Sequence, residues 1–148
     1  MPPRTASQRR KDTLDTLQRV RDVWVASASE TGDAYLIPLS YVWDGDRLTM
    51  ATPEASKTTR NLARAGWARL ALPSTDDVVI LEGPIEIIPL NADDALAADH
   101  AAAAGFDPRQ ESEPYVYMRV TPQRIQAWRD AAELSGRTIM REGRWVAD

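Results

Sequence analysis

Leu48–Leu72, LTMATPEASKTTRNLARAGWARLAL, reads as strand, helix, strand, and the rest of the chain falls into order around it. Leu48–Ala51 is a short extended run. Thr52-Pro53-Glu54 has the chemistry of a helix start: Thr52 suits the N-cap, Pro53 the first helical position and Glu54 the positive helix end. Gly66 ends the helix, and Trp67–Leu72 resumes with alternating apolar residues. Lys57, Arg60 and Arg64 fall at i, i+3 and i+7 with Asn61 beside them, all within roughly a 100° arc. In a chain of net charge −4 this is a local cationic stripe near a helix N-terminus. Free backbone donors and such a stripe suit a phosphate.

On either side of this stretch the pattern is mostly strand. Residues 1–11 are polar, basic and proline-bearing and read as a flexible tail. Leu14, Leu17 and Val20 give a short amphipathic helix over Lys11–Arg21. Val23–Ser29 and Ala34–Trp43 are strands joined by a Glu-Thr-Gly-Asp turn. Pro38 interrupts the second strand and marks an edge, a bulge or a ligand-facing gap, because proline donates no ladder hydrogen bond. Asp44-Gly45-Asp46 is a hairpin turn into Arg47–Ala51. Val78–Leu90 is a long strand with a break at Glu82-Gly83-Pro84, the kind of bend a barrel corner needs. Asn91–Gly105 is an alanine-rich helix with Asn91 as cap. Tyr115–Thr121 and Arg124–Trp128 are further strands. Residues 129–148 hold too few apolar side chains for a core of their own and are expected to pack on the barrel or on a dimer partner.

Six or seven strands joined by hairpins, with helices inserted, predict a mainly β fold, a small antiparallel barrel over residues 12–128. Irregular strand–helix alternation and the lack of GxGxxG disfavour a doubly wound sheet. With no cysteine and one histidine, a thiolate or zinc centre is excluded as an expectation, and no metal site is assigned. His100 reads as a surface or helix-packing residue, and Trp24, Trp43 and Trp128 as packing residues. Asp76-Asp77 and Asp93-Asp94 are turn and helix-start charges. A pI near 5.1 argues against a nucleic-acid partner. The sequence shows neither a membrane-length apolar run nor a signal-peptide core, so a cytoplasmic protein is expected.

Three pieces, PLSYVWDGDRLTMATPEASKTTRNLARAGWARLAL, DDVVILEGPIEI and YVYMRVTPQRIQAW, together resemble the pyridoxamine 5′-phosphate oxidase-like, FMN-binding split-barrel superfamily. Within it the likeness is to the flavin- and deazaflavin-dependent oxidoreductases, many of which use coenzyme F420. The resemblance implies a six-stranded antiparallel split β-barrel and a homodimer with FMN or F420 in a groove between subunits. It sets the cofactor phosphate against Thr52, Ser56, Lys57 and Asn61, and the ring against Pro38, Leu39, Ser40 and Tyr41. Arg60 and Arg64 join this set from helical geometry. The implied activity is hydride transfer between the reduced cofactor and a small organic acceptor. No catalytic residue is named; Ser40 and Tyr41 are the polar groups nearest the expected ring. The arginine-rich strand motif and C-terminal arginine–histidine pair of true pyridoxamine phosphate oxidases are absent. That enzyme and a non-catalytic flavin or haem carrier are the rival readings. The surplus of Arg60, Arg64 and Arg69 over what one phosphate needs favours the longer, anionic tail of F420.

Overall fold

Local capping chemistry sets the helix ends. The computed structural model describes residues 2–148. Helix α1 (Ala6–Arg19) starts where Thr5 Oγ1 accepts from the Gln8 N–H, and it buries Arg9, Thr13 and Leu17 along one stripe. It begins five residues before the expected Lys11, inside the segment read as a flexible tail. Strands β1 (Asp22–Ala28), β2 (Ala34–Trp43) and β3 (Leu48–Pro53) follow as an antiparallel meander. Gly32 and Gly45 turn the two hairpins at φ of 89° and 101°, a region open to glycine at little cost.

Helix α2 (Lys57–Ala65) corrects the expected helix start. Ser56 is the N-cap, its Oγ accepting from the Thr59 N–H, and Gly66 closes the helix in the left-handed region. Thr52 and Pro53 instead continue β3, paired with Val116 and Tyr115. The pairing wins over the local Thr-Pro-Glu signal because it extends a ladder already formed from Leu48 to Ala51. Strands β4 (Trp67–Ala71) and β5 (Val78–Pro89) lead to helix α3 (Asp94–Ala104), capped by Asp93 rather than Asn91. Then come β6 (Tyr115–Val120), β7 (Arg124–Trp128), a 3₁₀ segment Ala131–Gly136, β8 (Thr138–Arg141) and β9 (Arg144–Trp145).

The strands close in the order β1-β2-β3-β6-β5-β4 and back to β1, a six-stranded antiparallel barrel. Strands β7, β8 and β9 extend the sheet beyond it. Strand β5 is shared between partners. Its first part, Val78–Glu82, pairs with β7, and its last part, Ile85–Pro89, pairs with β6. The hand-over falls at Gly83-Pro84, where the sequence signalled a break. Barrel-facing Val25, Leu48, Met50, Leu70, Leu81, Met118, Val120 and Ile125 are sealed inside with α1's Leu17 and α2's Leu62. Among the described residues no helix is long and apolar enough to cross a membrane.

Candidate functional site

The barrel is split between β2 and β3. The two strands pair only over Tyr41–Trp43 and Leu48–Met50. Beyond that, β2 continues on β1 alone while β3 continues on β6. This explains how Pro38 sits within a strand. The Tyr41 N–H donates toward β1, to Arg21 O. Strand alternation then turns the Pro38 nitrogen toward the open edge, where no ladder bond is lost.

Two concavities, each about 240 Å³, lie along that edge. The first lies at the opened seam, where Leu39 and Ser40 of β2 meet Ala51, Thr52 and Pro53 of β3, under His100, Phe106 and Tyr115. The second lies at the start of α2, formed by Lys57, Arg60 and Asn61 with Tyr35, Ser29 and Asp33. Strand β2 runs from one to the other, roughly 17 Å from Tyr35 to Ser40 at about 3.4 Å per residue.

The sequence-assigned residues thus fall into two groups toward the two ends of β2, and Thr52, expected at the phosphate with Lys57 and Asn61, lies instead at the seam with Leu39 and Ser40. Lys57 lies 5.5 Å from the centre of the Tyr35 ring, a cation–π contact. Among the described residues none of Lys57, Arg60 and Arg64 has a carboxylate within salt-bridge distance, whereas Arg4, Lys11, Arg47, Arg69, Arg109, Arg124 and Arg129 do. Arg60 Nη1 donates to Ala55 O at 2.6 Å and Arg64 Nη2 to Ala28 O. Asn61 Nδ2 donates to Ser27 Oγ at 3.1 Å, so its amide ties α2 to β1. Ser56 Oγ is committed to the Thr59 N–H. Arg64 lies one turn beyond the cleft and does not line it.

Tyr41 departs from the ring-side position expected for its hydroxyl. It is buried, its hydroxyl donates to Leu17 O at 2.8 Å, and burial pushes its pKa up to about 12. Ser40 is exposed and donates to Asp22 Oδ1 at 2.8 Å. Pro38 is exposed opposite Trp24. Trp24, expected to pack, is 41% exposed, and Trp67 45%.

His100, Phe106 and Tyr115 were not legible as site residues: the docking of α3 on the sheet brings the first two to the seam, and the pairing of β6 with β3 at Pro53 brings Tyr115. A further concavity, about 540 Å³, between Trp67, Glu82, Arg124, Thr138 and Arg141, was not legible either, because it needs β8 beside β7. Glu82 is buried there, 3.4 Å from Arg69 and 4.0 Å from Arg124.

An anion fits the start of α2. Of the first-turn donors, the Thr59 N–H is taken by Ser56 Oγ, and those of Lys57 and Thr58 lie beyond the reach of the helix's own carbonyls. Thr58 is fully buried, so the cationic lining of the cleft is Lys57 and Arg60 with Asn61 beside them, and Asp33 is the opposing charge among its lining residues.

Structural comparison places the chain among proteins of the same fold. A conserved hypothetical protein from Mycobacterium tuberculosis is 21% identical with a TM-score of 0.64, over 80% of this chain and 83% of that one. A protein described as an F420 reductase is 17% identical with a TM-score of 0.60, over 75% and 93%. An FMN-binding protein related to pyridoxamine 5′-phosphate oxidase, from Nostoc punctiforme PCC 73102, is 14% identical with a TM-score of 0.54, over 90% and 83%. Comparison of the sequence with curated proteins returns no match. The family profile described as pyridoxamine 5′-phosphate oxidase matches residues 11–129, from within α1 through the six barrel strands to the end of β7, and the chain belongs to that family.

Proposed function

We propose that this protein is an oxidoreductase that holds coenzyme F420 or FMN along the open edge of β2 and passes hydride to a small organic acceptor. The observation that carries the reading is the unpaired cationic stripe, Lys57 and Arg60 with Arg64 a turn further on, at the start of α2 in a chain of net charge −4. The bound cofactor supplies the hydride chemistry. The chain's part is to anchor the phosphate at Lys57 and the α2 N-terminus and to offer the Leu39–Ser40 and Thr52–Pro53 backbone to a flat ring.

The family match and the F420 reductase and FMN-binding proteins of the same fold support this cofactor class. Arg64 extends the stripe past the phosphate position, which favours the polyanionic tail of F420 over FMN.

A second copy of the chain completes the groove in this proposal. Trp24, Leu36 and Trp67, with exposures of 41%, 59% and 45%, lie with Pro38 on the outer face of β4-β1-β2. Apolar exposure of this kind marks an interaction surface, and a twofold homodimer is the commonest way to cover one.

The test is a titration of the purified protein with FMN and with F420 at low and high salt, followed by visible absorption. F420 is expected to bind more tightly at low salt, with the advantage shrinking as salt screens the tail. Arg64→Glu is expected to weaken F420 selectively. Tighter FMN binding at every ionic strength selects FMN, tight binding without reduction by any donor selects a carrier, and binding of neither cofactor ends the reading.

A further inference from the structure

Strand alternation decides what the outside of the barrel offers to α3. Leu48 and Met50 on β3, and Met118 and Val120 on β6, are fully buried in the barrel. Thr49 and Arg119, register partners between them, therefore project from the outer face. On α3, Leu96, Asp99, His100 and Ala103 recur at i, i+3, i+4 and i+7 and so share one helix face. Between these two faces lies a concavity of about 370 Å³, bordered also by Val42, Asp44 and Arg47 of the β2–β3 hairpin. It shares only His100 with the seam, and its volume is that of a small-molecule site.

Five charged side chains line it, and three are already committed. Asp44 and Arg47 pair with each other at 3.1 Å, and Asp44 also accepts from the Asp46 and Arg47 N–H groups. Asp93 caps α3 by accepting from the Leu96 N–H at 3.0 Å. Arg119 and Asp99 remain. Among the described residues neither takes part in a salt bridge, with the other or with any further group. Glu86, opposite Arg119 on β5, is exposed and pairs with nothing either. Arg119 is half-buried, and its Nε is closed off from solvent without a hydrogen-bond partner, a costly state for a charged donor. His100, 4% exposed, lies on the facing wall, and its Nδ1 lacks a partner as well.

We propose that this concavity binds a small zwitterion, an α-amino acid with an apolar side chain. The guanidinium of Arg119 takes the carboxylate, for which its forked donors are suited. Asp99, from the helix side, takes the ammonium group. Val42, Leu96 and Ala103 receive the apolar side chain. The pairing of signs selects this class. A simple anion on Arg119 would face Asp93 and Asp99, and a simple cation on Asp99 would face Arg119. A ligand that carries both charges satisfies the sheet wall and the helix wall together. The site lies outside the proposed cofactor groove and needs no cofactor to form.

The chain has one histidine, so in untagged full-length protein labelled with ring-¹⁵N histidine every ring signal reports on the wall of this concavity. L-Leucine is expected to shift those signals saturably in cofactor-free protein. 4-Methylpentanoate, which lacks the ammonium group, and L-leucinamide, which lacks the carboxylate, are each expected to bind more weakly. Arg119→Gln should weaken L-leucine about tenfold or more, the loss of a hydrogen bond to a charged group. Asp99 is exposed, so Asp99→Asn should keep the fold, weaken L-leucine by up to about fivefold and leave 4-methylpentanoate no weaker. Ring signals unmoved by L-leucine at its solubility limit overturn the proposal. So does either analogue binding as tightly as L-leucine, or an Asp99→Asn protein with unchanged L-leucine affinity. Failure of FMN and F420 to bind would end the cofactor reading and leave this site standing.

Discussion

At Gly83 a methyl group has nowhere to go. A Cβ there would stand 2.0 Å from the Thr121 carbonyl oxygen, a backbone atom that cannot swing aside. Gly83→Ala is therefore expected to lose about 3 kcal/mol or more, the upper end of overpacking costs, read as a lower denaturant midpoint. The sequence marked this position as a bend from Gly-Pro alone, and the pairing confirms the change of partner there. Lys57 carries a prediction of a different kind. It is exposed, so Lys57→Ala should leave the fold intact and weaken cofactor binding by about 1.5–3 kcal/mol, the range for a hydrogen bond to a charged group. Equal affinity in the two proteins would make the stripe an ordinary solvated face. The helix start was misread at Thr52 because capping preferences are local while β3–β6 pairing is not. Ser56, four residues on, is an equally good N-cap by chemistry, and only the ladder decides between them.

The α1 helix shows what an element hides from sequence reading. Its leading residues looked like a polar tail because their partners lie at the other end of the chain. Arg4 makes a two-pronged contact with Glu133, at 2.9 and 2.7 Å, and bonds Asp12 at 3.0 Å. Arg9 is buried and donates to the carbonyls of Ala127 and Gly136 at 3.2 and 2.6 Å. These contacts join α1 to β7 and to the 3₁₀ segment that follows it. They fix how the clasp responds to acid. Hydrogen bonds from Arg4 hold the Glu133 pKa down to about 2, from an ordinary 4.5. A depressed carboxylate stabilises the fold above its unfolded pKa and loses that contribution as pH falls through the folded one. The window is thus pH 4.5 down to about 2, and the contribution is up to about 3 kcal/mol at 1.36 kcal/mol per unit. Arg4→Ala should be less stable than wild type at neutral pH and show a shallower further loss across that window by chemical denaturation. Parallel stability curves for the two proteins would remove the clasp from the account.

For the whole molecule, the barrel was legible because hairpin turns and strand alternation are short-range signals: Gly32 and Gly45 stand at their predicted turns and Gly66 at its predicted helix end. Strands β8 and β9 were not, being only four and two residues long, too short for alternation to show; β8 is held by its neighbour β7. The seam concavity was half legible. Leu39 and Ser40 came from the family resemblance, which put Thr52 at the phosphate instead, and His100 and Phe106 reach it only through the docking of α3. Assembly gives the prediction at this scale. Light scattering at micromolar concentration should report twice the chain mass of 16.5 kDa. Leu36→Glu should return it to 16.5 kDa and lower cofactor affinity together, since the groove is completed across the interface in the proposed dimer. A wild-type reading of one chain mass would refute the dimer.

The shared strand β5 also sets when the chain can fold. It pairs with β4, β6 and β7 at once, and the barrel has no closed form without it. On the ribosome, β1 to β4 emerge first and must wait for residues 78–120 before the circle closes. Contacts this distant in sequence fold slowly, and half-made sheets expose apolar edges meanwhile. Yield in a cell should therefore depend on chaperone supply during synthesis more than the finished barrel's stability would suggest, and slowing translation after Leu72 would lengthen the exposed interval.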